Sequence, residues 1–268
     1  MLNKFDSKSD AGLTDKPTHV CLIMSVLLFL TPMTASADTV FGLHASAHVW
    51  MPELGGEIGQ TTAAFNFSSD FDGGEGDSTS VLVALEHAIP VIPNFQFRST
   101  PLTWAGSSDA ASGTLGGIIT INGQVDAALD IDSLDGTLYY ELLDNWVSLD
   151  LGVTARFLEG FVEVQESNGL VGDSLDVDIL LPLLYGHARF DLPFSGLAVG
   201  VRGNGIAFEG NNLLDLEAYL QLDFGLIPAF DVGIQGGFRR LSLELDDVDN
   251  LNSDAAFDGA YVALTAHF

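Results

Sequence analysis

From Asn145 to Phe157 the chain alternates without a break. Val147, Leu149, Leu151, Val153, Ala155 and Phe157 fall on one side, and Trp146, Ser148, Asp150, Gly152, Thr154 and Arg156 on the other. A period of two is a strand, since helical side chains repeat every 3.6 residues. One face is wholly apolar while the other holds an acid and a base. The first must meet hydrocarbon or a dry core, the second something wet or paired. Leu138, Tyr140 and Leu142 begin the same alternation upstream, and Asp144-Asn145 supplies a tight connection. The unit is a hairpin of the kind a transmembrane β-barrel repeats.

The same period recurs along the chain. Phe41, Leu43, Ala45, Ala47 and Val49 oppose His44, Ser46, His48 and Trp50; Val81, Val83 and Leu85 oppose Ala84 and Glu86; Phe95 and Phe97 oppose Gln96 and Arg98. Further on, Leu197, Val199 and Val201 oppose Gly200, Arg202 and Asn204, and Leu214 to Phe224 sets five leucines and alanines and a phenylalanine against Asp215, Glu217, Tyr219, Gln221 and Asp223. Phe230, Val232, Ile234 and Phe238 oppose Asp231, Gln235 and Arg239, and Ala260, Val262, Leu264, Ala266 and Phe268 share one face of the last strand. In Ile179 to Tyr185 a continuous apolar run hides the facing, and a bulge is expected there. These segments predict an all-β fold, a transmembrane antiparallel up-and-down β-barrel of about ten strands, with eight and twelve as the neighbouring even counts.

The connections sort by length. Short ones are expected at 89–93, 144–145, 191–195 and 226–229, and long Gly- and acid-rich loops at 52–77, 106–132, 159–176 and 245–255. Outer-membrane barrels alternate in this way, with short periplasmic turns and long external loops. The long segments hold most of the acids and no arginine, so acidic external loops are expected. Trp50 and Trp104 near the external strand ends and Trp146 near the other end suit interfacial aromatic girdles.

Val20 to Leu30 is apolar, too short to span a bilayer, and is followed by the small-x-small site Ala35-Ser36-Ala37. Residues 1–37 therefore read as a signal peptide and 38–268 as the barrel. The segment 1–37 contains every lysine and the lone Cys21, so the remainder has six arginines against a large excess of acids, and the whole chain carries −28. Such a chain should not bind nucleic acid, whose backbone demands Lys and Arg. Loosely bound divalent cations are compatible with it. The 47% hydrophobic content and its regular alternation exclude a disordered chain.

Three features carry a resemblance. EHAIPVIPN at Glu86 to Asn94, YYELLDNWVSLDLG at Tyr139 to Gly152 and the terminal Phe268 resemble an uncharacterised family of Gram-negative outer-membrane β-barrel proteins. The family pattern favours Pro where this chain has Ala88. The resemblance implies fold and an outer-membrane location, among outer-membrane lipid and lipopolysaccharide, and brings no catalytic residues across. Phe268 resembles the C-terminal signal read by the barrel-assembly machinery.

Catalytic motifs are weak. Gly172-Asp173-Ser174-Leu175 resembles the opening block of a lipase and esterase family, but no Asp-x-x-His partner occurs. His44 and Ser46 resemble a pair found in outer-membrane phospholipases, yet their alternation places them away from lipid. His44 and His48 share a face at roughly 13 Å, too far to share a metal. Neither acidic cluster, Asp70, Asp72, Glu75 and Asp77 or Asp246, Asp247, Asp249 and Asp254, has calcium-loop spacing. No cofactor motif and no enzyme activity are expected. The polar faces of the strands present Glu86, Arg98, Glu141, Asp150, Arg156, Arg202, Glu217, Asp223 and Arg239. A small barrel fills its interior with side chains, and charges there must pair, so a largely plugged lumen is expected, with a narrow cation-preferring pore as the alternative.

Overall fold

The computed structural model describes residues 41–60, 63–71, 74–89, 91–115, 121–227, 230–248 and 251–268; the expected signal segment lies outside them. The described strands are β1 (Phe41–Trp50), β2 (Glu53–Gln60), β3 (Ala63–Asn66), β4 (Glu75–His87), β5 (Asn94–Gly113), β6 (Ile121–Asp144), β7 (Val147–Glu166), β8 (Gly172–Asp191), β9 (Leu197–Phe208), β10 (Asn211–Ile227), β11 (Phe230–Val248) and β12 (Leu251–His267). Strands β1 and β4 to β12 pair in order, each antiparallel to the next, and β1 pairs with β12, which closes a ten-stranded barrel. Strand β2 continues β1 in one register: Trp50 faces Tyr261 and Glu53 faces Asp258. Between them Pro52 has no N–H to give the ladder. Strand β3 folds back on β2 as a hairpin.

Register fixes the tilt. From Leu43 the paired residues run through Leu85, Phe95, Leu138, Val153, Leu184, Gly205, Leu214, Ser242 and Ala256 to Gly55. One circuit therefore returns to the first strand twelve residues further along, a stagger that tilts ten strands by about 40° from the barrel axis.

In the half nearest the short turns, the alternation faces as the sequence predicts. Leu85, Phe97, Leu138, Leu151, Val153, Phe157, Val199, Leu220, Ile234 and Leu264 point outward and are exposed, while Gln96, Arg98, Thr137, Asp150, Thr154 and Arg156 are buried inside. The outward apolar stretch from Val147 to Phe157, at ~3.3 Å per residue and a ~40° tilt, covers roughly 25 Å, the height of a membrane barrel's apolar band.

Beyond that band the polarity inverts. On β6 the outward positions become Asp126, Asp130 and Asp132 and the buried inward ones Val125, Ala127 and Leu129. On β7, Glu159 and Glu163 face out above Phe157, and Val162 and Val164 are buried. Strand β8 does the same, with Asp176 and Asp178 exposed beside Leu175 and Val177. The strand parity never changes; the residues assigned to each side do.

This inversion corrects three expectations. Most of the segments expected as long loops at 106–132, 159–176 and 245–255 are wall: β5, β7 and β8 are each 20 residues long and β6 is 24. Asp126, Asp130, Asp132, Glu159, Glu163 and Asp176 occupy alternate outward positions of strands rather than loops. No bulge interrupts β8, whose register with β7 is continuous from Gly172 to Phe190. Its apolar run marks the inversion, where the inward Ile179, Leu181 and Leu183 meet the outward Leu180 and Leu184. Trp50 and Trp104 are not girdle residues; at 1% and 3% exposure they lie in the barrel core. Trp146 is exposed at a short turn and packs edge-on against Phe190.

Candidate functional site

The barrel interior has three levels. At the short-turn end a polar vestibule of about 600 Å³ is lined by His44, Glu86, Tyr139, Asp150, His187 and Arg202, among others. Its charges are stitched to neighbours. His44 Nε2 lies 2.8 Å from Glu86 Oε2, and the His44 ring stacks on His267 at 3.8 Å. Tyr139 donates its hydroxyl to Glu86 at 2.9 Å, and Asn94 Nδ2 donates to Glu141 at 2.9 Å. His187 bridges Asp150, at 2.8 Å, and the Tyr219 hydroxyl, at 2.7 Å. Arg189 donates to Asp191 at 2.9 Å and to Asp223 at 2.7 Å.

Above the vestibule a belt of ion pairs crosses the lumen. Arg156 donates through Nε and Nη2 to Asp135 at 2.8 and 2.7 Å, and Nη2 also reaches Asp215 at 2.7 Å. Arg239 grips Asp215 with two bonds of 2.8 Å. Arg98 pairs with Glu217, which also has Arg239 at 3.6 Å and Arg202 at 3.8 Å. Arg98, Asp135, Arg156, Asp215, Glu217 and Arg239 are each 4% exposed or less. Strands β5 and β10, which carry Arg98 and Glu217, stand on opposite sides of the ten-strand ring, so this pair spans the diameter. The planar fork of arginine suits such bidentate contacts.

The third level is apolar. The β2–β3 hairpin and the turn after it bring Phe65, Phe67 and Phe71 into the barrel mouth. Phe67 stacks on Phe71 at 4.8 Å and meets Trp104 edge-on at 5.4 Å. Leu54, Leu102, Leu115, Ile121, Val125, Leu129, Val164 and Phe257 complete the cluster. Gly106 lies under Trp104, where any Cβ would overlap the indole. Below, the Trp50 ring receives Arg239 at 4.6 Å and joins plug to belt.

Of the charged residues expected in the lumen, Arg98, Arg156, Glu217 and Arg239 meet in the belt, with Arg202 at its lower edge. Glu86, Asp150 and Asp223 line the vestibule; Glu141 stands at its rim and is exposed. Sequence reasoning did not single out Asp135 and Asp215, the two acids that hold Arg156 and Arg239. Asp215 shares the polar face of Glu217, and Asp135 the parity of Thr137 and Tyr139, so both were within reach of the alternation. Arg189 was hidden by the unassigned facing of β8.

The other singled-out residues fall apart as a site. Ser46 and His48, rather than His44 and Ser46, form the close pair, with Oγ 2.8 Å from Nε2. His48 is 1% exposed, and its Nδ1 meets no hydrogen-bond partner among the described residues. Ser174 faces outward on β8. Phe268 closes the seam: its N–H donates to the Leu43 carbonyl at 2.9 Å and its ring packs on Phe230 at 4.5 Å. Among the described residues no group of three His, Cys, Asp or Glu is arranged to hold a metal.

No protein-family model matches the chain. No curated protein matches it. Among solved structures it is similar to the transport unit of the autotransporter AIDA-I from Escherichia coli, with 11% identity, 92% of this chain and 95% of that one covered, and a TM-score of 0.37. It is also similar to the outer membrane protease OmpT from Escherichia coli (9% identity, 87% and 98% covered, TM-score 0.41). The translocator domain of the autotransporter NalP from Neisseria meningitidis gives 13% identity, 93% and 95% coverage and a TM-score of 0.35. Likenesses at this level carry no argument about activity.

Proposed function

We propose that the chain is an integral outer-membrane β-barrel with a plugged lumen, a structural or interaction barrel rather than an open channel or an enzyme. Among the described residues the wall is closed from the short turns up to the top of the β8–β9 ladder at Leu184, so its backbone groups there are paired from strand to strand, as lipid requires. The band itself, continuous from strand to strand, is the surface that hydrocarbon would cover.

The observation that carries the plugged reading is the Arg98–Glu217 pair, which joins opposite walls at mid-height within a network of three further arginines and two aspartates. An ion crossing the lumen must separate charges that are paired out of water, and then pass the aromatic plug. Purified protein in planar bilayers should show no steady conductance. A steady, cation-selective current would instead favour a narrow pore, the reading supported by the excess of carboxylates at the vestibule mouth, Glu141, Asp144, Asp191 and Asp231 among them. Under that reading Arg98 or Arg156 replacement changes selectivity.

The acidic wall above the band extends the proposal to partners. It would meet lipopolysaccharide headgroups, with divalent cations loosely shared between the two sets of anions. Phe268, hydrogen-bonded across the closing seam, is the residue we assign to recognition by the barrel-assembly machinery.

A further inference from the structure

The wall above the band is not equally tall. Strands β5 to β8 rise far beyond it, whereas β9 ends at Phe208 and β10 starts at Asn211. The ladder between β8 and β9 begins at Leu184 and runs only toward the short-turn end. Above it, residues 174–183 of β8 pair with β7 on one side and, among the described residues, with no strand on the other. At ~3.3 Å per residue this leaves a free edge on the order of 30 Å long.

Two further observations describe what would fit there. Since the upper interior is apolar, the missing wall uncovers part of it: Ile179 is 48% exposed and Phe208 67%. Acids stand on both banks, Asp176 and Asp178 on β8 with Glu159 and Glu163 beside them, and Glu209, Glu244 and Asp246 across the gap. The sole cation on the outer face of neighbouring β11 and β12 among the described residues, Arg240, is already paired with Asp258 at 3.1 Å.

We propose that this notch takes an extended polypeptide segment as an added strand on β8, its apolar side chains turned in toward Ile179 and Phe208 and its basic ones turned out toward the acids. Unpaired backbone donors and acceptors select a strand over a helix or a lipid tail, because only another strand can answer alternate N–H and C=O groups along their whole length. Alternation of the inserted strand follows from the wall it completes, apolar inward and charged outward. Its charge follows from the banks. Pro182, which lacks an N–H, sets the lower end of the usable edge. The proposal needs only the upper wall and stands whether or not the lumen conducts.

The test uses the full barrel in detergent micelles and a fluorescent peptide of alternating valine and lysine, eight residues long, read by anisotropy. Binding should weaken roughly tenfold or more when alternate peptide amides are N-methylated, which keeps the charge and removes the edge-facing donors. Asp176→Lys with Asp178→Lys should weaken it similarly, and Ile179→Asp should do so without changing the barrel's resistance to unfolding in SDS. Equal binding of the methylated peptide would reduce the effect to charge attraction and overturn the proposal. So would sedimentation as a dimer that excludes the peptide, which would assign the notch to a second copy, or a peptide of valine and glutamate binding as tightly.

Discussion

The lower and upper halves of this barrel share strands, register and parity, yet they are built as opposites. Around the vestibule and belt the outside is greasy and the inside charged; around the plug the outside is acidic and the inside aromatic and aliphatic. The lower half is thus organised as a membrane protein and the upper half as a water-soluble β structure, with the change falling between Phe157 and Glu159 on β7 and between Asp132 and Leu134 on β6. What differs is the solvent each wall expects. A strand can cross a membrane surface and continue into water simply by exchanging which parity carries the apolar residues.

The halves also differ in what holds them, and mutation should separate the two. The largest effect is expected at Asp215, whose carboxylate serves both Arg156 and Arg239. Asp215→Ala leaves two buried guanidinium groups short of a partner and should cost about 3–5 kcal/mol of unfolding free energy, measured by urea titration in lipid vesicles. Trp104→Ala tests the upper half by a different mechanism, loss of packing against Phe67 and Phe71. It should cost about 3–4 kcal/mol while leaving the vestibule intact. A loss at Trp104 much below 1 kcal/mol would mean that the plug packs less tightly than its burial implies.

That contrast bears on what the sequence made legible. The ten wall strands and, except on β8, the facing of the lower half were readable because a period of two with one apolar face needs no tertiary information. The upper walls were not recognised, since glycines and acids at 106–132 and 159–176 carry the composition of loops. Their parity held the answer: in residues 125–140 the acids occupy even positions through Asp132 and an odd one at Asp135, the mark of an inversion within one strand. The inward folding of Phe65, Phe67 and Phe71 had no such mark. It depends on the space above the belt, which only closure of the barrel creates.

Outward substitutions on a single strand sharpen the comparison with smaller effects. Val153→Arg, in the centre of the apolar band of β7, should destabilise the protein in vesicles by about 2–4 kcal/mol. Glu159→Gln, three outward positions further along, should do the reverse and more weakly. Glu159 pairs in register with Asp132 and Asp178, so three like charges lie side by side. Removing the middle charge should stabilise by a few tenths of a kcal/mol at low ionic strength. The gain should vanish in high salt, since exposed charges are screened there. A gain that persists in salt would point to packing rather than charge.

The inversion itself is tested most directly by single cysteines placed at the outward positions of β7, in a chain whose one native cysteine, Cys21, lies in the segment expected to be removed. Spin labels at 151, 153, 155 and 157 in vesicles should collide with dissolved oxygen and be shielded from an aqueous nickel chelate, and labels at 159, 161, 163 and 165 should show the opposite, with the crossover between Phe157 and Glu159. A wall that stays lipid-accessible past residue 163, or one that is water-accessible at 153, would contradict it.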